Sequence, residues 1–148
     1  MNSTGKSSVR IRPMTQSDID PVLGLWWSPV IPDKDMLAAQ LKGPLHSSFV
    51  AELDGRVVGF ILARLQYLGI PTTGVCVTYA VAVQPEYRRQ GIGRQLLTEL
   101  KNHCGNKGVS TMRVVVPEDD THLMNYFQQL GFKRSNMINL EQPCGGEA

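Results

Sequence analysis

Several features that would narrow the field are missing from this chain. It has three cysteines in 148 residues, Cys76, Cys104 and Cys144. They are odd in number and widely scattered, which argues against a disulfide framework and for free thiols in a reducing cytoplasm. His46, His103 and His122 share no ligand spacing with them, so no metal site is expected. A formal net charge of +2 is too small to build a nucleic-acid surface. No apolar run approaches the roughly 20 residues that span a bilayer. Residues 1–8 are polar and lack the hydrophobic segment of a signal peptide. There is no internal repeat, no low-complexity tract and no G-x-x-x-x-G-K-[ST] phosphate loop. The dinucleotide fingerprint G-x-G-x-x-G also fails, because its third glycine falls on Leu96. What remains is a single cytoplasmic domain, expected over residues 9–141 between a disordered lead-in (1–8) and a polar tail (142–148), with no nucleic-acid or membrane partner.

What is present is organised around residues 75–104. An apolar run from Val75 to Val83 is stopped by Gln84-Pro85. The basic loop Tyr87-Arg88-Arg89-Gln90-Gly91-Ile92-Gly93-Arg94 follows, and Ile92, Leu96, Leu97, Leu100 and Cys104 then recur at helical spacing. This reads as strand, loop and helix, with the loop opening the helix. The first N–H groups of a helix have no partner inside it and lie at the positive end of its dipole. Gly91 and Gly93 put no side chain over them, while Arg88, Arg89 and Arg94 surround them with positive charge. The pattern predicts a site for phosphate or pyrophosphate. Taken alone, a short glycine loop of this kind is also compatible with a plain surface turn.

The remaining elements follow in order. Val9 to Arg12 alternates as a short strand. Ser17-Asp18-Ile19-Asp20 starts a helix whose stripe is Ile19, Val22, Leu23 and Trp26, with Pro21 tolerated in the first turn. Trp26 and Trp27 are expected in the core and at its rim, with large aromatics at a helix end also able to line a pocket. Asp33 caps a second helix that Gly43-Pro44 ends. Ser48 to Leu53, the Asp54-Gly55 turn and Arg56 to Gln66 form a hairpin. Tyr67 to Gly74 is expected as a loop bordering the substrate site. Thr111 to Val116 is a compact strand, Pro117-Glu118-Asp119-Asp120 opens another helix, and Gly131 ends it. Phe132 to Leu140 is expected as a last strand. The order β-α-α-β-β-β-α-β-α-β predicts a mixed α/β sheet with helices on both faces and one parallel pair near its middle.

Four motifs in this order carry a resemblance: Val9-Arg10-Ile11-Arg12-Pro13-Met14 with Asp18; the hairpin Ala51 to Phe60; Val81-Ala82-Val83-Gln84-Pro85-Glu86-Tyr87-Arg88-Arg89-Gln90-Gly91-Ile92-Gly93-Arg94; and Phe127-Gln128-Gln129-Leu130-Gly131-Phe132. Over about residues 9–140 the chain resembles the GNAT family of N-acetyltransferases. The resemblance implies acetyl-CoA, or another acyl-CoA, as donor. It implies a pyrophosphate loop made by Arg89, Gln90, Gly91, Ile92, Gly93 and Arg94, with Arg88 at its head. It implies backbone pairing of Val81, Ala82 and Val83 with the pantetheine arm, in a cleft left where that strand splays from its parallel neighbour. The reaction it implies is direct attack of a neutral primary amine on the thioester, the amine belonging to a small molecule or a peptide.

The chain departs from the family pattern in several places. The family often has a tyrosine four residues before the glycine of the Gly-Phe pair; here that residue is Phe127, and Tyr126 precedes it, about 100° around the helix. Tyr126 is the candidate acid. Asp120 stands where many members have an asparagine; it is expected to accept a pantetheine hydrogen bond or to cap the helix. Thr111 to Val116 carries no acid, and Glu52 and Glu86 are candidate bases only by elimination. Tyr79 is a further site-lining candidate. A short C-terminus leaves a sheet edge that a homodimer would cover. The alternatives to an acetyltransferase are an acyl-CoA-sensing module of the same fold without turnover, and a binder of another phosphorylated ligand at the same loop.

Overall fold

The computed structural model describes residues 8–27, 31–68 and 73–145. The elements, in chain order, are β1 (Arg10–Pro13), a 3-10 turn (Gln16–Asp18), α1 (Ile19–Gly24), α2 (Lys34–Gln40), β2 (Phe49–Leu53), β3 (Arg56–Leu68), β4 (Thr73–Val83), a 3-10 turn (Pro85–Tyr87), α3 (Ile92–Asn106), β5 (Met112–Val114) and α4 (Thr121–Gln129). They divide into two compact units, 1–115 and 116–148.

In the first unit the five strands form one mixed sheet in the order β1-β2-β3-β4-β5. The first three neighbour pairs are antiparallel and β4–β5 is parallel. Asp54 and Gly55, with φ of 52° and 77°, make the β2–β3 turn, whose backbone is left-handed at both positions. Side chains alternate across the sheet. Val50, Phe60, Leu62, Ala80 and Ala82 face one way and pack with Ile19, Val22, Leu37 and Leu41 of the α1–α2 segment. The other face receives α3, whose residues Ile92, Leu96, Leu97, Leu100 and Cys104 are all buried, as the 3.6-residue spacing requires. Burial of each large member of that stripe contributes on the order of 1.5–3 kcal/mol. Helices therefore cover both faces, as expected.

One polar cluster ties the opening strand to the first helical turn. Arg12 donates to both Asp18 oxygens at 2.8 and 2.9 Å and to Glu52 at 2.7 Å. The Thr15 N–H also donates to Asp18, at 2.8 Å. Burial acts to raise the Asp18 pKa, but the donors from Arg12 and Thr15 outweigh it and hold the carboxyl below its usual range.

The structure corrects several expected boundaries. α1 ends at Gly24, so Trp26 follows the helix instead of riding on it; α2 ends at Gln40, three residues before Gly43. Of the expected loop Tyr67–Gly74, the described residues 67, 68, 73 and 74 are strand. The β3–β4 ladder runs out to Leu68↔Thr73, and residues 69–72 lie outside the described set. Gly74 permits this extension: a Cβ there would meet Tyr67 Cε1 and Val109 Cγ2 at 2.9 Å. The parallel pair lies at the end of the sheet, not in its middle.

In the second unit, Asp120 caps α4 by accepting from the Leu123 N–H at 3.0 Å. Gly131, at φ 100°, follows the helix. Phe127 is buried and meets Phe132 edge-on, with ring centroids 5.5 Å apart. The expected strand Phe132–Leu140 does not form. No described strand pairs with it, and a strand without a ladder leaves its backbone groups to water. Met137, Ile138 and Leu140 are exposed there.

Candidate donor-binding site

β4 changes its pairing halfway along. Against β3 the register runs from Gly59↔Val83 to Leu62↔Ala80 and then shifts to Ala63↔Thr78. Tyr79 is thus the extra residue of a β-bulge. On the other side, the ladder to β5 runs from Cys76↔Met112 to Thr78↔Val114 and ends there. Beyond that rung, among the described residues, no strand lies beside residues 79–83. The strands fork.

Alternation then says which backbone groups face the opening. The Gln84 N–H bonds the Val58 carbonyl at 2.8 Å. In an antiparallel pair, every second residue exchanges bonds with its partner. Ala82 and Ala80 therefore turn their N–H and C=O toward β3, while Val81 and Val83 turn theirs into the fork. Arg88 Nε donates to the Val83 carbonyl at 3.0 Å. That bond agrees with the outward direction and draws the guanidinium to the mouth of the opening. Of the three residues expected to pair with a ligand arm, two present their backbone and Ala82 does not.

The strand runs into the loop through the Pro85–Tyr87 turn. Arg89 (φ 65°) and Gly91 (φ 81°) both have left-handed backbone, and Gly91 is the N-cap of α3. Such alternation curls successive N–H groups toward one point. The first helical bond is Gln95 N–H to the Gly91 carbonyl at 2.9 Å, so Ile92 and Gly93 precede the ladder. No acid stands in the first turn of α3. A Cβ built on Gly91 meets nothing within 4 Å, so the space over the helix start is open. Gly59 is needed for a different reason: a Cβ there would lie 3.1 Å from the Ala82 carbonyl and 3.4 Å from Ile92 and Val83. Arg88, Arg89, Gln90 and Arg94 are exposed around this point.

The candidate proton-transfer groups separate clearly. Glu52 is held by Arg12. Glu86 accepts from Gln84 Nε2 at 2.8 Å, and that bond keeps its pKa low, which weakens it as a base. The two nitrogens of His46 meet the Met14 carbonyl at 3.2 Å and the Ser48 N–H at 3.3 Å, and burial lowers its pKa, so it is a neutral link in the scaffold. Cys76 and Cys104 share a hydrogen bond between β4 and α3, and together with burial it pushes the Cys76 thiol well up. Tyr79 is exposed, and its hydroxyl receives Gln66 Nε2 at 3.0 Å. β3, β4 and β5 carry no Asp, Glu or His. Tyr126 and Asp120 belong to the second unit, where Tyr126 meets Phe127 edge-on at 5.4 Å. Among the described residues no cluster of His, Cys, Asp or Glu could hold a metal ion.

Trp26 and Trp27, expected at the core and its rim and able to line a pocket, gain a stacking partner the sequence did not show, and one buried hydroxyl escaped the sequence reading altogether. Trp26 stacks on Phe60 at 5.7 Å and Trp27 stacks on Trp26 at 5.1 Å, forming a shelf on the α1–α2 face whose outer ring is exposed. Phe60 is the cross-strand partner of Ala82. That hydroxyl belongs to Thr78, a buried residue at the last β4–β5 rung, and has no hydrogen-bond partner among the described residues. Its one sequence signal was a hydroxyl inside an otherwise apolar run.

A strand forked beside a glycine-led, arginine-ringed helix start defines an acyltransferase class of site. Residues 17–132 match the acetyltransferase (GNAT) family profile. The chain belongs to that family. Its structure is similar to aminoglycoside N-acetyltransferase AAC(6')-Iy in complex with CoA, with a TM-score of 0.80 and 23% identity over 97% of this chain and 99% of that one. A structure of AAC(6')-Iy with a CoA–acetylneamine bisubstrate analogue gives a TM-score of 0.76 and 26% identity, covering 93% of this chain and all of that one (100%). AAC(6')-Ih from Acinetobacter baumannii gives 0.79 and 20%, covering 93% and 100%.

Proposed function

We propose that this protein transfers the acetyl group of acetyl-CoA to the primary amine of a small molecule. The observation that carries the reading is the fork. Val81 and Val83 turn backbone groups into the fork in line with the helix start at Gly91, the Val83 carbonyl already accepting from Arg88, so one ligand can place a pyrophosphate on the loop and run an amide-bearing arm along the strand edge. CoA in the AAC(6')-Iy structures supports this donor class. Arg88, Arg89 and Arg94 would supply charge, and Gln90, Gly91, Ile92 and Gly93 backbone donors, to the pyrophosphate. Asp120 is spent on its helix cap and is assigned no more than an acceptor role.

In the reaction, the amine nitrogen attacks the thioester carbonyl carbon, the C–N bond forms and the C–S bond breaks. With no carboxylate or imidazole on β3, β4 or β5, water takes the ammonium proton. Tyr126 is kept as the candidate acid for the thiolate, on chemistry alone. A CoA thiolate can also leave with solvation only. The aminoglycosides named for the similar structures support a small-molecule amine as acceptor, and the Trp26–Trp27 shelf offers its body an apolar surface.

Calorimetry with acetyl-CoA tests the reading. The intact protein should bind, and Gly91→Glu, which sets a carboxylate over the helix start, should abolish binding without unfolding the chain. No binding by the folded protein would overturn it. Binding with no CoA release across a panel of amines would move the assignment to the sensing module.

A further inference from the structure

On the sheet face opposite α3, three rings lie nearly parallel. Trp26 stacks on Phe60 at 5.7 Å and 11°, and Trp27 on Trp26 at 5.1 Å and 19°. Phe60 is fully buried, while Trp27 is 49% exposed and forms the open end of the stack. Tyr79, the extra residue of the bulge, takes the same face. Arg64 Nη1 donates to the Gln40 carbonyl of α2 at 3.2 Å, which fixes the side that Arg64 points to. Gln66 lies two residues along β3 and shares that side. Its amide donates to the Tyr79 hydroxyl at 3.0 Å and holds the ring there, 45% exposed. Phe60 pairs with Ala82, three residues from Tyr79, so the two aromatic surfaces stand roughly 10 Å apart along the strand that forks.

The charge on this face is of one sign. Arg64, Val77 and Arg113 stand side by side across β3, β4 and β5, so the strands add two cations to it. The same strands carry no Asp or Glu. In the α1–α2 segment Asp18 is held by Arg12, and Asp20 pairs with Lys34 at 2.7 Å. Asp33 caps α2, and Asp35 stands in its first turn, where a negative charge serves the helix start. Residues 28–30 and 69–72 hold no charged side chain.

We propose that the acceptor is a primary amine with a flat aromatic body and no second positive charge, stacked on Trp27 and flanked by Tyr79, and that polycationic amines are poor substrates of this chain. The proposal deepens the acetyl-transfer reading above and rests on it. An aromatic ring gains stacking on the open indole of Trp27. A single ammonium gives up its proton to water before attack and leaves no charge behind. Each further ammonium would stand near Arg64 and Arg113 with no carboxylate to offset it. The C–N bond forms and the C–S bond breaks as for any primary amine. The acceptor of this chain then differs from the aminoglycosides for which the similar AAC(6') structures are named.

The test is initial rates at saturating acetyl-CoA with 2-phenylethylamine, hexylamine and neamine, with calorimetric acetyl-CoA binding and thermal melting alongside. For the wild type kcat/KM should fall in that order, by about tenfold or more from first to last. Trp27→Ala should raise KM for 2-phenylethylamine several-fold, keep KM for hexylamine within about twofold and leave acetyl-CoA affinity unchanged, because the lost indole stacks only with another ring. Tyr79→Phe should retain the wild-type preference and Tyr79→Ala should weaken it, which gives a second comparison if the tryptophan variant folds poorly. Neamine as the best of the three amines would overturn the proposal. So would an equal rise in KM for 2-phenylethylamine and hexylamine in Trp27→Ala, or turnover of none of the three by a protein that binds acetyl-CoA. Failure of the folded wild type to bind acetyl-CoA would overturn the donor reading itself, before any amine is compared.

Discussion

Replacing Arg12 with leucine removes the cation from the cluster that joins β1, β2 and the first helical turn. Asp18 then keeps only Thr15, whose N–H and hydroxyl donate at 2.8 and 3.1 Å. Its side chain is 5% exposed, against 24% each for Arg12 and Glu52. Breaking a buried pair by removing one partner costs roughly 3–5 kcal/mol. The partial exposure of Arg12 puts this case at the low end, about 3 kcal/mol, which lowers the melting temperature by roughly 6–12 °C in a domain of this size. The pH dependence is more diagnostic. In the wild type the depressed Asp18 pKa contributes stability that is complete above the unfolded carboxyl value, about 3.9, and is lost as pH falls through the folded value below it. In the variant, burial is no longer outweighed, so the Asp18 pKa moves up and the folded state takes the proton more readily than the unfolded one. The deficit should be largest near pH 7 and shrink toward pH 4. Urea unfolding of both proteins at the two pH values measures it. A loss under about 1 kcal/mol, or a deficit independent of pH, would refute the account.

Gly91→Ala needs left-handed backbone from an alanine, at about 1 kcal/mol, while its methyl meets no protein atom. A small fall in melting temperature should accompany a larger loss of acetyl-CoA affinity, read by calorimetry. Arg89→Gly should relieve the strain at φ 65° and leave stability unchanged or slightly higher, while weakening the donor more at low salt than at high salt. Trp27→Ala, at the exposed end of the stack, should raise KM for the amine several-fold with little change in acetyl-CoA affinity, read by initial rates at saturating donor. Tyr126→Phe should lower kcat about tenfold or more at unchanged acetyl-CoA affinity; an unchanged kcat would remove Tyr126 as the acid.

Local pattern alone determined much of this protein. The 3.6-residue stripe from Ile92 to Cys104 could be read because one face of that helix is buried, and the Asp54-Gly55 turn because its left-handed backbone suits those residues. The open helix start at Gly91, where the anion site is proposed, was legible for the same reason: a helix start, two small residues and three arginines lie within one short segment. Boundaries set by distant partners were not. β3 and β4 run past Tyr67 because each finds the other to pair with, and Phe132–Leu140 stays irregular because no described strand pairs with it. The fork belongs to the same class. Nothing within residues 75–83 marks Tyr79 as the extra residue; the bulge exists only in the register against β3, and the end of the ladder only in the register against β5. That register decides that Val81 and Val83 present their backbone while Ala82 does not. Sequence periodicity says which face a side chain takes, but the direction of a strand's backbone groups depends on which neighbours it has and where they stop.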